Sequence, residues 1–166
     1  MTRPSGSSPL PDARGLRVAL VVSRYHHDVT DRLRNGARAA LSEAGADDAA
    51  VEALAVPGTF EVPLAARQAA ETGRFDAVVC LGCVVKGETP HFEFIASAVA
   101  HGITAASAET GIPMAFGVLT TNTLEEALAR AGDGPSNKGW EAAVAAIELA
   151  LVCRRLLRGD PTGAGG

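Results

Sequence analysis

The sequence predicts an α/β domain, a three-layer α/β/α sandwich around a four-stranded parallel sheet. Short apolar runs alternate with stretches of helical periodicity along the whole chain. The runs are almost continuously apolar, the mark of strands covered on both faces. Each is separated from the next by room for a helix, so the connections are crossovers and the strands lie parallel.

Residues 1–15 (MTRPSGSSPLPDARG) carry three prolines and three serines and read as a flexible arm. The domain proper is expected over residues 16–158, with a Gly-rich flexible tail over 159–166. The run RVALVVS (17–23) is the first strand. Val29, Leu33, Ala37, Ala40, Leu41 and Ala44 then recur at helical spacing, and Gly45 closes that helix. Residues 51–56 form the second strand, and PGTFEVP leads into a helix from about 63 to 72. Pro63 suits its first turn, and Gly73 ends it. The third strand spans 77–82; the loop GETP then enters a long helix over 91–110, closed by Gly111. Residues 114–119 make the fourth strand. Thr123 and Glu126 form a capping box for a short helix ending near Gly132. Residues 138–157 are the last and longest helix.

Composition narrows the function. Apolar residues make up 47% of the 166, enough to bury a core without staples. The net charge of −4, with both signs interspersed, gives no basic surface for nucleic acid. No run is long enough for a membrane span, and Arg3 is not followed by the apolar stretch of a secretory signal. Three cysteines without framework spacing fit a reducing, cytoplasmic setting. Cys80 and Cys83 do form a C-x-x-C, but on a strand, where residues three apart face opposite sides. Neither a redox pair nor a metal site is expected there, and no other cluster has metal-ligand spacing.

Ligands of open parallel sheets bind beyond the carboxyl ends of the strands. That rule selects four segments: 24–27, 57–61, 83–91 and 120–122. The last helix adds a clue about assembly. From Ala142 to Cys153 its only polar residue is Glu148, whereas a surface helix carries a polar face. It is expected to be covered twice, by its own sheet and by a neighbouring copy.

The segment KGETPHFEF is the most informative of the four. Backbone N–H groups around Glu88 and Thr89 precede a helix start, where anions are favoured, and His91 sits beside them. Taken alone, an ordinary helix entry with Pro90 and an incidental histidine is the plainer account. Arg130 and Lys138 flank the turn before the last helix and could reach an anion. The plainer account is a favourable charge at a helix C-terminus for Arg130 and a solvated Lys138. Tyr25 and Phe60 follow strands one and two, where rings could stack on a flat heterocycle, although core packing is the commoner use of aromatics. Glu61 could accept hydrogen bonds from hydroxyls or be a plain surface carboxylate.

In combination these segments are specific. SRY, VPGTFEVP, LGCVVKGETPHFEF, FGVLTTNT and the pair RAG…NKG occur in order, and from about residue 16 to 157 the chain resembles the 6,7-dimethyl-8-ribityllumazine synthases. The resemblance implies a flavodoxin-like sheet and condensation of 5-amino-6-(D-ribitylamino)uracil with 3,4-dihydroxy-2-butanone 4-phosphate, releasing phosphate and water. It implies no metal and no organic cofactor. It also implies a homopentamer, in some members packed into an icosahedral sixty-subunit shell, with active sites between adjacent subunits.

Roles carry over by motif. His91 matches the catalytic histidine. Tyr25 takes the place of the ring that stacks on the pyrimidine, and Thr59, Phe60 and Glu61 match the loop holding the ribityl-aminouracil. Cys83, Val84 and Val85 line the same pocket; Glu88 and Thr89 match the phosphate-cradling backbone. Phe116 matches an aromatic lent by the neighbouring subunit, Arg130 the phosphate-binding arginine and Lys138 a lysine near the pocket. Many members have Phe-Asn where this chain has Tyr25-His26, and often Thr at position 83. An archaeal-type riboflavin synthase shares this scaffold but handles no phosphate, so KGETPH and Arg130 argue against it. A non-catalytic flavin-binding or shell-forming paralogue would not need His91 together with Arg130.

Overall fold

A computed structural model describes residues 9–88 and 90–159. Its four strands are β1 (Val18–Ser23), β2 (Val51–Val56), β3 (Ala77–Val85) and β4 (Met114–Thr121). All pair in parallel, in the order β2-β1-β3-β4. The chain starts in the middle of the sheet, winds outward to β2, then returns past β1 to β3 and β4. The crevice of such a sheet opens where the winding reverses, between the carboxyl ends of β1 and β3.

Alternation along the strands builds a core on each face. Val18, Leu20, Val22, Val79, Leu81 and Cys83 point into one, packed by α1 (His27–Glu43), α4 (Leu124–Ala129) and α5 (Lys138–Arg158). Ala19, Val21, Val78 and Cys80 point into the other, covered by α2 (Val62–Glu71) and α3 (His91–Thr110). This is the three-layer sandwich that the apolar runs predict. Cys80 and Cys83 fall on opposite faces, as their spacing requires. Burial pushes the Cys80 thiol up to about 12 and the Cys83 thiol up to about 11, so both stay protonated at neutral pH. Among the described residues no helix is long and apolar enough to cross a membrane.

Several boundaries differ from the sequence expectation. Strands β3 and β4 run three and two residues further than 82 and 119, because Cys83, Val84 and Val85 pair with Leu119, Thr120 and Thr121. Helix α1 begins at His27, two residues ahead of its first apolar position, and α4 stops at Ala129 rather than near Gly132, with Arg130 as its C-cap. Ala13, inside the segment read as an arm, is fully buried and donates its N–H to the Ala44 carbonyl at 2.9 Å. The packed domain thus begins ahead of residue 16. The remainder of the expected arm, 1–8, and the tail 160–166 lie outside the described residues.

Helices α1 and α5 approach each other closely, and one polar residue holds them. Asn137, 3% exposed, caps α5 by accepting from the Gly139 and Trp140 N–H groups at 2.7 and 3.1 Å. Its amide donates to the carbonyls of Arg32 in α1 and Gly132 in the preceding turn, at 3.1 and 2.9 Å. Glycines make the room. A Cβ at Gly36 would lie 2.2 Å from Asn137 Oδ1, and one at Gly139 would lie 2.0 Å from the Leu33 carbonyl oxygen.

Candidate active site

Tyr25, at the end of β1, leaves the sheet on a short turn. Its carbonyl accepts from Ser23 Oγ at 3.4 Å. His26 next adopts the left-handed conformation (φ 59°, ψ 48°), the one positive φ among the described non-glycine residues, and α1 follows at once. Histidine is among the non-glycine residues enriched in that conformation, as asparagine is.

The loop after β2 is drawn onto β3. Thr59 Oγ1 accepts from the Cys83 N–H at 3.2 Å and donates to the Cys83 carbonyl at 3.3 Å, with both residues buried. Gly82 permits the approach, since a Cβ there would meet Thr59 Oγ1 at 2.7 Å. Phe60 and Glu61, held by the same loop, face outward. From the other side α3 begins at His91 with Pro90 as its N-cap, so the first-turn amides and the imidazole point toward the carboxyl ends of the strands.

These elements enclose a hollow of about 480 Å³. Tyr25, Thr59, Phe60, Glu61, Cys83, Val84, Val85 and His91 all line it. His26, Gly58, Gly87, Phe92 and Ile95 complete it. The aromatic and apolar lining suits a flat ring, and Glu61, His26 and His91 supply the polar groups. Tyr25 and Phe60 stand 67% and 60% exposed, a large apolar surface to leave facing solvent unless something stacks on it.

Phe116, Arg130 and Lys138 lie elsewhere. They line a second hollow of about 560 Å³, between β4 and the start of α5, which Glu141 and Thr121 also border. Thr123 Oγ1 accepts from the Glu126 N–H at 3.1 Å, the first half of the predicted capping box; the Glu126 carboxylate accepts from the Asn122 N–H at 3.0 Å, one residue ahead of the cap, and the two bonds together fix the start of α4. Arg130 donates to the Glu126 carbonyl at 3.1 Å, and the Lys138 N–H donates to the Arg130 carbonyl at 2.9 Å. Lys138 Nζ pairs with Glu141 at 3.0 Å. Two cations against one carboxylate leave this hollow favourable to an anion. Phe116, on the edge strand, is 47% exposed.

The residues expected to act together are thus divided by the chain's own edge strand, eight in one hollow and three in the other. Glu88 is exposed before α3 and lines neither; Thr89 lies outside the described residues. Sequence reasoning missed Glu141, Phe92 and Ile95. Glu141 is three residues from Lys138 on a helix and Ile95 four beyond His91, spacings that share a helix face; Phe92 reaches the hollow from the position next to His91 at the start of α3.

Residues 15–154 match the family model described as 6,7-dimethyl-8-ribityllumazine synthase. A protein of Syntrophus aciditrophicus (strain SB) named 6,7-dimethyl-8-ribityllumazine synthase is 46% identical over 144 residues, 87% of this chain and 94% of that protein. The motifs, the parallel sheet and these two matches agree, and the chain belongs to the 6,7-dimethyl-8-ribityllumazine synthase family.

Proposed function

We propose that the chain condenses 5-amino-6-(D-ribitylamino)uracil with 3,4-dihydroxy-2-butanone 4-phosphate and releases 6,7-dimethyl-8-ribityllumazine, phosphate and water. The observation that carries this reading is the pair of dissimilar hollows: one aromatic and hydroxyl-accepting, one cationic. They suit a flat polyol-bearing heterocycle and a phosphate ester respectively. The comparisons lend no support to a riboflavin synthase or a non-catalytic paralogue.

In this reading Tyr25 and Phe60 flank the pyrimidine, Glu61 accepts from ribityl hydroxyls, and Cys83 to Val85 form the apolar floor. The amine attacks the ketone and water leaves as the imine forms. A proton then departs from the carbon beside the imine while phosphate leaves from the next carbon. Tautomerisation and attack of the ribitylamino nitrogen on the second carbonyl close the ring with loss of water. Each step moves a proton, and His91 at the mouth of α3 is placed to carry it. The helix amides and Arg130 hold the phosphate, and most of the remaining acceleration is positioning.

Arg130 and Phe116 come from a neighbouring copy, because β4 separates them from His91 within one chain. The outer surface supports such a neighbour. Leu149, Val152 and Leu156 expose an apolar stripe on α5, and Phe94 stands 71% exposed on α3. A further hollow of about 670 Å³ runs between α3 and α5 over Ile103, Met114 and Leu149. The assembly is a homopentamer, which extends to a sixty-subunit shell if pentamers pack further.

Light scattering with a coupled activity assay tests this: lumazine absorbance should rise with both substrates present, from a species of pentamer mass or larger. An active monomer would overturn the shared site. Arg130→Ala should raise KM for the butanone phosphate by about tenfold or more, the loss of one charge-assisted contact of roughly 1.5–3 kcal/mol. KM for the uracil should move little. Equal effects on both would mean that Arg130 serves folding instead.

A further inference from the structure

The first hollow contains a ring whose presence the chemistry above does not use. His26 lines it, half-buried, and meets Tyr25 edge-to-face with ring centroids 4.5 Å apart and planes at 64°. The contact exists because of the backbone. A left-handed residue directly after Tyr25 turns the chain back sharply, so that side chains of adjacent residues, which would diverge on a strand, come together on one side.

That conformation has a cost for any residue with a Cβ, and such outliers persist where the surroundings impose them. Glycine would adopt it freely, and asparagine nearly so. Neither would place a ring against Tyr25. Tyr25, 67% exposed, is otherwise a free rotor about its side-chain bonds, and a free rotor loses entropy when a ligand stacks on it.

We propose that His26 is a positioning residue of the heterocycle site: its imidazole edge holds the Tyr25 ring in the stacking orientation before the substrate arrives. This rests on the reading of the first hollow as the place where the ribityl-aminouracil binds. His26 acts through Tyr25 and carries no proton in the reaction. Its contribution falls on affinity for the flat substrate and leaves the phosphate ester untouched.

The test uses the intact assembly and two substitutions that suit the left-handed backbone but lack the ring, His26→Asn and His26→Gly. Both should keep the wild-type Tm. Their Kd for 5-amino-6-(D-ribitylamino)uracil, by titration calorimetry, should weaken about 2–12-fold, the range an edge-to-face aromatic contact supplies. KM for the butanone phosphate should hold. Tyr25 is the only tyrosine in the sequence, so its near-ultraviolet circular dichroism band reports the ring directly and should weaken in both variants. His26→Phe, which restores an aromatic edge, should recover part of both signals. Wild-type affinity and an unchanged tyrosine band in His26→Asn, while Tyr25→Ala weakens binding, would overturn the positioning role alone. If Tyr25→Ala also binds as wild type, the reading of the hollow fails and this inference falls with it.

Discussion

Replacing His91 with alanine should lower kcat by about 10²-fold, the lower end of the 10²–10⁴ that a positioned acid–base group supplies. The lower end is expected because imine formation and ring closure also proceed without an enzyme, so the uncatalysed proton transfers set a floor. The histidine owes its place to three local features. Pro90 precedes α3, the β3 ladder extends to Val85, and the first-turn amides of α3 face the strand ends. None of these depends on the imidazole, and His91 is exposed at the helix start. The variant should therefore fold and assemble as wild type, and the loss should appear in kcat at saturating concentrations of both substrates. An unchanged kcat removes His91 from the mechanism.

Among the described glycines, Gly139→Ala should be the most damaging to stability. The added carbon would lie 2.0 Å from the carbonyl oxygen of Leu33 and 2.7 Å from its carbon. Both are backbone atoms of α1, so no side-chain rotation relieves the overlap and the helices must part. Overpacking of this kind costs about 3 kcal/mol or more, which corresponds to a fall in Tm of roughly 10 °C. Activity should suffer beyond the stability loss. The Lys138 N–H is bonded to the Arg130 carbonyl, and the same turn carries the Asn137 cap, so a displaced α5 drags the cationic hollow with it. Gly132→Ala is the control: its Cβ would meet nothing nearer than 4.0 Å. Differential scanning fluorimetry on the two variants distinguishes a specific clash from a general intolerance of alanine near the turn. A Gly139→Ala protein melting within about 2 °C of wild type would show that the seam can open cheaply.

Element order and facing were legible because they rest on local pattern. Continuous apolar runs mark doubly covered strands, and the period-two geometry of a strand put Cys80 and Cys83 on separate faces. The Thr123 cap on the Glu126 N–H was legible for the same reason, since its partners are three residues apart. What escaped depends on contacts between distant segments. Gly82 reads as the end of a strand, but it lies inside β3 and is small because Thr59 crosses over it. Asn137 reads as part of a basic turn, whereas three of its four side-chain hydrogen bonds are made within five residues and the fourth reaches Arg32 in another helix. The left-handed turn at His26 had no glycine to announce it. Of the candidate site, the residue types and their strand-end loops were readable. Their division between two hollows was expected only through the family resemblance, with Phe116 lent by a neighbour; local pattern does not give it, because it depends on which strand lies at the sheet edge.

That division restricts the assemblies that could complete the site. If a whole site needs the aromatic hollow of one chain and the cationic hollow of another, a single head-to-tail contact completes one site and leaves an unmatched half at each end. An open row of any length keeps those two orphans. Closed assemblies alone have as many whole sites as chains: a ring, or a two-fold pair whose one interface presents both hollows of each chain. Full occupancy therefore selects closure, whatever the strength of each contact.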